Sequence, residues 1–179
     1  MKRMTRSKQY ARLVARLPGI VFAEYGRKDV CIPAAYHALE TLRAWGISGR
    51  LVSMNTTAMN WPFVEWVSRR ADGHYDPMPN YGWSVGIRHD NPDRDGYLSH
   101  LVCVSKGKVL DCAAGALSRP ERGMPVPEGL MVVNGEWYDD TTVVTYMPSP
   151  EPVPPMWVLD PVATECVRRR IKKEILEGS

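Results

Sequence analysis

The stretch Leu98-Ser99-His100-Leu101-Val102-Cys103-Val104-Ser105-Lys106-Gly107-Lys108-Val109-Leu110-Asp111-Cys112-Ala113 leaves the chain little choice of local structure. Two apolar runs rich in strand-forming residues flank a short polar turn, the pattern of an antiparallel hairpin over 98–104 and 108–113. If the turn centres on Lys106-Gly107, Ser105 pairs with Lys108, Val102 with Asp111 and His100 with Ala113. Paired residues share a sheet face, as do residues two apart along a strand. His100 and Asp111 then become diagonal neighbours, roughly 5–8 Å apart at Cβ and within side-chain reach. One residue more or less in the turn would send Asp111 to the opposite face. An aspartate among Val109, Leu110, Cys112 and Ala113 needs a partner, because a buried carboxylate without one is costly. The His100 imidazole is a suitable one, whether the pair serves structure or chemistry.

A cysteine that could use such a pair lies at Asp29-Val30-Cys31-Ile32-Pro33-Ala34-Ala35-Tyr36-His37-Ala38-Leu39. From Ile32 the apolar residues Ala35, Leu39, Leu42 and Trp45 recur every three or four positions, the helical period. Pro33 belongs to a first turn, where no N–H is needed, and Gly46 supplies the stop. Cys31 therefore falls at or next to the N-cap. Unpaired N–H groups and the positive end of the helix dipole favour a thiolate there.

The remaining elements follow in order. Residues 7–16 form an amphipathic helix with Tyr10, Leu13, Val14 and Leu17 on one side, ended by Pro18-Gly19. A brief strand at 20–22 and a polar loop through Arg27 and Lys28 lead to Cys31. Strand alternation returns over 50–55, a helix over 61–70, and a Gly-, Pro- and Asp-rich loop over 72–81. A strand at 83–87 and the polar turn Asp90-Asn91-Pro92-Asp93-Arg94-Asp95-Gly96 precede the hairpin. Residues 118–129 are again rich in Pro and Gly, a last strand lies at 143–146, and a helix runs over 161–176. Helices first and an antiparallel sheet after them make an α+β fold. The expected organisation is one α+β domain over 1–147, with a Pro-rich strap and basic C-terminal helix over 148–179 packed on it or extending from it.

Composition narrows the classes of function. A chain of 179 residues can bury a substantial core. No run approaches the roughly 20 apolar residues of a membrane span, and the basic N-terminus leads into no signal-like apolar segment. A cytoplasmic protein without a membrane partner is expected. The four cysteines, 31, 103, 112 and 166, show neither CxxC pairing nor zinc-finger spacing, so free thiols and no metal or other cofactor are expected. The net charge of +3 is gathered at the ends, at Lys2, Arg3, Arg6 and Lys8 and at Arg168, Arg169, Arg170, Lys172 and Lys173. Solvated helix faces account for such runs. No aromatic residues interleave with them, which argues against a nucleic-acid partner.

Of the other histidines, His37 sits on the Cys31 helix but on a different turn and face, and is expected at the surface or partly buried. His74 and His89 fall in polar loops. His100 alone shares the phase of a buried strand.

Cysteine at a helix start, histidine on a later strand and aspartate on the next resembles the papain-like, transglutaminase-like superfamily. That superfamily includes papain-type peptidases, transglutaminases and arylamine N-acetyltransferases. The pieces resemble uncharacterised bacterial and phage proteins of transglutaminase-like type more closely. They are Cys31-Ile32-Pro33-Ala34-Ala35, Leu42-Arg43-Ala44-Trp45-Gly46-Ile47, Gly96-Tyr97-Leu98-Ser99-His100-Leu101-Val102, Val109-Leu110-Asp111 and Ser118-Arg119-Pro120. The resemblance covers roughly residues 25–125. It implies a papain-like fold, with Cys31 as nucleophile, His100 as base and acid, and Asp111 orienting the ring. Cys31 lacks the Gly-x-Cys-Trp and Arg-Gly-Gly-x-Cys settings of the well-known branches, so no substrate class carries over.

These roles describe a thiol hydrolase or acyltransferase acting on an amide, isopeptide or thioester, with a peptide or small acyl compound as substrate and room for a protein partner. The oxyanion would meet the Cys31 N–H and a side-chain donor, for which Asn55 is the candidate. Two alternatives stand beside this expectation. One is a binding protein on the same fold, whose basic termini contact nucleic acid or an acidic protein. The other is a redox thiol protein, although Cys31 has no resolving cysteine near it in sequence. Cys103 and Cys112 have the opposite parity to His100 and Asp111 and should point away from the site.

Overall fold

The computed structural model describes residues 4–26, 30–90 and 96–177. Lys2, Arg3, Arg27, Lys28 and the turn residues 91–95, which figure in the expectations above, lie outside them.

Helix α1 (Arg6–Tyr25) is longer than its sequence pattern suggests, running through Pro18-Gly19 and absorbing the strand expected at 20–22. Pro18 cannot donate to the Val14 carbonyl four residues back. The backbone of Gly129 packs against that carbonyl so closely that a Cβ at position 129 would lie 2.1 Å from its oxygen. Burial of Leu13, Leu17, Ile20 and Val21 on one face carries the helix past the proline. Tertiary packing thus overrides the local stop signal.

Helix α2 (Cys31–Ala44) has Pro33 in its first turn. Gly46, at φ 70°, turns the chain out, and the Ile47 N–H bonds back to the Leu42 carbonyl at 2.9 Å. Strand β1 (Arg50–Asn60) extends well beyond the expected 50–55. Asn60 then caps α3 (Trp61–Ala71), its Oδ1 accepting from the Phe63 and Trp83 N–H groups. Next come β2 (Ser84–Ile87), β3 (His100–Ser105) and β4 (Lys108–Asp111). Two strands without a counterpart in the sequence reading follow, β5 (Leu130–Val133) and β6 (Glu136–Tyr138). They are joined by Asn134-Gly135, both at positive φ. That dipeptide is a hairpin signal. Strand β7 (Thr142–Pro148) and helix α4 (Pro161–Ile171), which runs on as a π-helical turn over Lys172–Leu176, complete the chain.

The architecture is α+β, helices packed on an antiparallel sheet. One edge of β1 pairs with β3 near its start and with β2 near its end, and the other edge pairs with β7. The order β1-β3-β4-β5-β6-β7 thereby returns to β1 and closes a six-stranded barrel, with β2 alongside.

Alternation along the strands builds two apolar layers. Cys103, Leu110 and Cys112 face outward, against Leu13 and Leu17 of α1, Leu39 and Leu42 of α2, and Val167 and Ile171 of α4. Val102, Val109, Val132, Val144, Met54 and Tyr146 fill the barrel. The Pro-rich stretch after β7 behaves as a strap. Glu151 accepts the Leu98 and Ser99 N–H groups, Ser149 meets Ser99 at 2.6 Å, and Tyr36 of α2 donates to the Pro154 carbonyl. Among the described residues no helix is long and apolar enough to cross a membrane.

Candidate active site

Cys31 is the first residue of α2, and the burial of Val30, Ala34 and Ala35 around it fixes the helix start. As a first-turn residue it has an N–H without an intrahelical acceptor. Its side chain is partly exposed, in a cleft that it shares with His100.

The hairpin has the register that a two-residue turn dictates. Ser105 pairs with Lys108, Val104 with Val109 and Cys103 with Leu110 across Lys106-Gly107, both at positive φ. Extension of that register puts His100 and Asp111 on one face, inside the barrel. There His100 Nε2 lies 2.7 Å from Asp111 Oδ2, with both side chains essentially inaccessible to solvent. The Tyr146 hydroxyl donates to the same oxygen at 2.7 Å, and the Ala113 N–H donates to Oδ1 at 2.9 Å.

Burial alone would push Asp111 upward, but the charge and hydrogen bond of His100, then those from Tyr146 and Ala113, hold it below the ordinary carboxylate value. Burial would likewise lower His100. Asp111, and after it Cys31, outweigh that effect and raise the imidazole above its ordinary value. Tyr146 is raised in turn, by burial and by the neighbouring carboxylate.

An ionised carboxylate only accepts, so Nε2 must carry the proton of the neutral ring, which leaves the lone pair on Nδ1. That nitrogen is buried and has no hydrogen-bond partner among the described residues. The Cys31 thiol lines the same cleft as this ring and contributes to raising its pKa. A base with its far side fixed and its near side open toward a thiol can take a proton from it and return it.

The cleft encloses about 710 Å³. Val30, Cys31 and Ile32 at the start of α2, Val85, Gly86 and Ile87 of β2, Tyr97, Ser99 and His100, and Leu117 and Arg119 line it. The Tyr97 hydroxyl donates to Ser53 Oγ at 2.9 Å, and burial raises its pKa.

Asn55 is not brought to the site. Its neighbour Met54 is the cross-strand partner of His100, so strand alternation sends Asn55 to the opposite face of β1. There its Oδ1 accepts from the His89 N–H at 3.0 Å and lies 3.1 Å from His89 Nδ1. His89 is accordingly tied rather than free in its loop. His37 also departs from expectation, being fully buried, with Nδ1 3.2 Å from Glu40 Oε2. Cys103 and Cys112 are buried on the outer face of the hairpin, and burial pushes the Cys103 thiol up to about 12. Among the described residues no three His, Cys, Asp or Glu side chains gather to hold a metal ion.

Sequence reasoning missed Tyr146, because β7 meets the site through barrel closure and has no local link to β4. It also missed Glu151, whose carboxylate holds the two residues before His100. Comparison with protein-family models, with curated proteins and with solved structures finds no match to this chain.

Proposed function

We propose that the protein is a cysteine-dependent hydrolase or acyltransferase with a papain-like, transglutaminase-like arrangement of Cys31, His100 and Asp111. It acts on an amide, isopeptide or thioester through an acyl-enzyme. The observation that carries this reading is the unpartnered, buried Nδ1 of His100 in a cleft shared with the Cys31 thiol.

The Cys31 sulfur attacks the substrate carbonyl carbon while His100 Nδ1 takes the thiol proton. The Asp111 carboxylate keeps Nε2 protonated and stabilises the imidazolium, and Tyr146 and the Ala113 N–H hold that carboxylate in place. The Cys31 backbone N–H is a donor for the oxyanion. As the tetrahedral intermediate collapses, the carbon–nitrogen bond breaks and Nδ1 returns the proton to the departing amine. With a thioester the carbon–sulfur bond breaks and the thiol takes the proton. Water or an acceptor amine then attacks the Cys31 thioester and loses its proton to Nδ1; the carbon–sulfur bond breaks, the acyl group leaves on the acceptor, and Nδ1 returns the proton to the Cys31 sulfur.

The alternative use of the basic termini in binding gains little support, since Arg168 is paired with Glu40 and Arg170 with Glu24 and Glu174. The four cysteines are free, which suits a reducing, cytoplasmic setting.

Iodoacetamide labelling of Cys31 across pH, in the native protein and in His100→Ala, tests the proposal. Labelling is expected to slow about 100-fold at neutral pH when the base is lost. A Cys31 profile that does not change on removing His100 would overturn it.

A further inference from the structure

Among the described residues that line the cleft, Arg119 is the one permanently charged side chain, and none is an aspartate or glutamate. Its backbone is fixed by reciprocal bonds with the fully buried Met124, at 2.8 and 3.0 Å. Its guanidinium is fixed as well. Nη1 donates to the Ala116 carbonyl at 3.0 Å and to the Ser118 carbonyl at 2.6 Å. Among the described residues no hydrogen bond falls to Nε or Nη2. Other arginines of the fold are held differently: Arg69, Arg88, Arg168 and Arg170 each meet a carboxylate. Arg119 is held by neutral carbonyls, and among the described residues no carboxylate pairs with its charge. The Nε–Nη2 edge that remains open is the planar fork that matches a carboxylate through two parallel hydrogen bonds.

We propose that Arg119 determines specificity, and that the substrate of Cys31 carries a free carboxylate, separate from the reacting carbonyl, which docks on this fork. The inference rests on the acyl-enzyme reading and adds the substrate class to it. An acyl compound or peptide bearing such an anion would be held at two points in the cleft, by a bidentate ion pair with Arg119 and by Cys31. Neutral analogues would lose the first of these contacts.

The test uses N-bromoacetyl amino acids whose carboxylate lies one to four methylenes beyond the amide, each compared with its methyl ester. Cys31 displaces bromide from either, and the acid-to-ester ratio of labelling rates reads recognition of the carboxylate separately from reactivity of the thiol. The native ratio is expected to peak at one chain length. There it should exceed the ratio in Arg119→Gln by about tenfold, with Arg119→Lys between the two, since lysine keeps the charge and loses the fork. Equal ratios in the native protein and Arg119→Gln, or a flat dependence on length, would overturn the inference. So would a phosphonate analogue that outpaces the carboxylate at every length. If Arg119→Gln does not fold, the lysine variant decides, a native-like ratio in it being the overturning result. Failure of the acyl-enzyme reading is seen elsewhere, in ester labelling that ignores His100→Ala, while the acid-to-ester ratio still judges Arg119.

Discussion

The fold contains two fully buried imidazoles, His37 in α2 and His100 in β3, each beside a carboxylate and each with one ring nitrogen that has no hydrogen-bond partner among the described residues. Glu40, the partner of His37, is partly exposed and shared with Arg168 of α4, so the trio clips two helices together. The carboxylate of His100 is fully buried and is held by Tyr146 and the Ala113 N–H as well. The unbonded nitrogens differ more. Nε2 of His37 is enclosed by the helical layer, where the ring packs near Tyr25 with centroids 6.2 Å apart. Nδ1 of His100 belongs to a ring that lines a cleft and senses a thiol. Burial and a carboxylate neighbour therefore do not identify a catalytic base. What sets His100 apart is an open nitrogen in a cleft that it shares with a thiol.

The largest expected contrast is in Cys31 chemistry. His100→Ala should slow iodoacetamide labelling about 100-fold, whereas His37→Gln should change it less than about twofold. Comparable losses in the two variants would erase the distinction. Stability comes next. Asp111→Ala leaves the buried His100 ring without its partner and should cost about 3–5 kcal/mol in urea unfolding, against about 1 kcal/mol or less for Glu40→Ala at a partly solvated pair. Tyr146→Phe removes one charge-assisted hydrogen bond to Asp111 and should cost about 1.5–3 kcal/mol. A loss within error would mean that the hydroxyl does not support the carboxylate.

The smallest effect is in the pH dependence of the urea midpoint. Burial would raise Glu40, but His37 and Arg168 hold it near 2 against an ordinary 4.5. Its contribution to stability is fully present above 4.5 and is lost as the pH falls toward 2, so Glu40→Gln should flatten the acid limb in that window. His100, raised by Asp111, behaves oppositely. Its contribution is present below its ordinary value of 6.5 and is lost as the pH rises through the raised folded value. An alkaline limb that survives in a folded His100→Gln would assign that limb to another group.

Much of the hairpin site is legible in the sequence. Ser105-Lys106-Gly107 sets a two-residue turn, that turn sets the register, and the register places His100 and Asp111 on one face. Cys31 at a helix start follows from Pro33 and the apolar period after it. Asn55 shows where such inference stops. Its parity within β1 is readable, but which face of β1 meets His100 depends on the pairing of Met54 with His100, across nearly fifty residues of chain. Pro18-Gly19 is a sound local stop that packing overrides. The strands β5 and β6 were within reach of the Asn134-Gly135 signal.

The sequence by itself determined what periodicity and turn chemistry can specify: an α+β chain, a cysteine at a helix start, and a histidine and aspartate in phase on adjacent strands. These depend on contacts a few residues apart, where backbone geometry leaves few options. Only the tertiary structure decided that the sheet closes through β1 and β7, that Tyr146 reaches Asp111, that His37 is buried and that Arg119 and Cys31 line one cleft. Such long-range placements depend on which apolar faces bury together, and no local pattern encodes that choice.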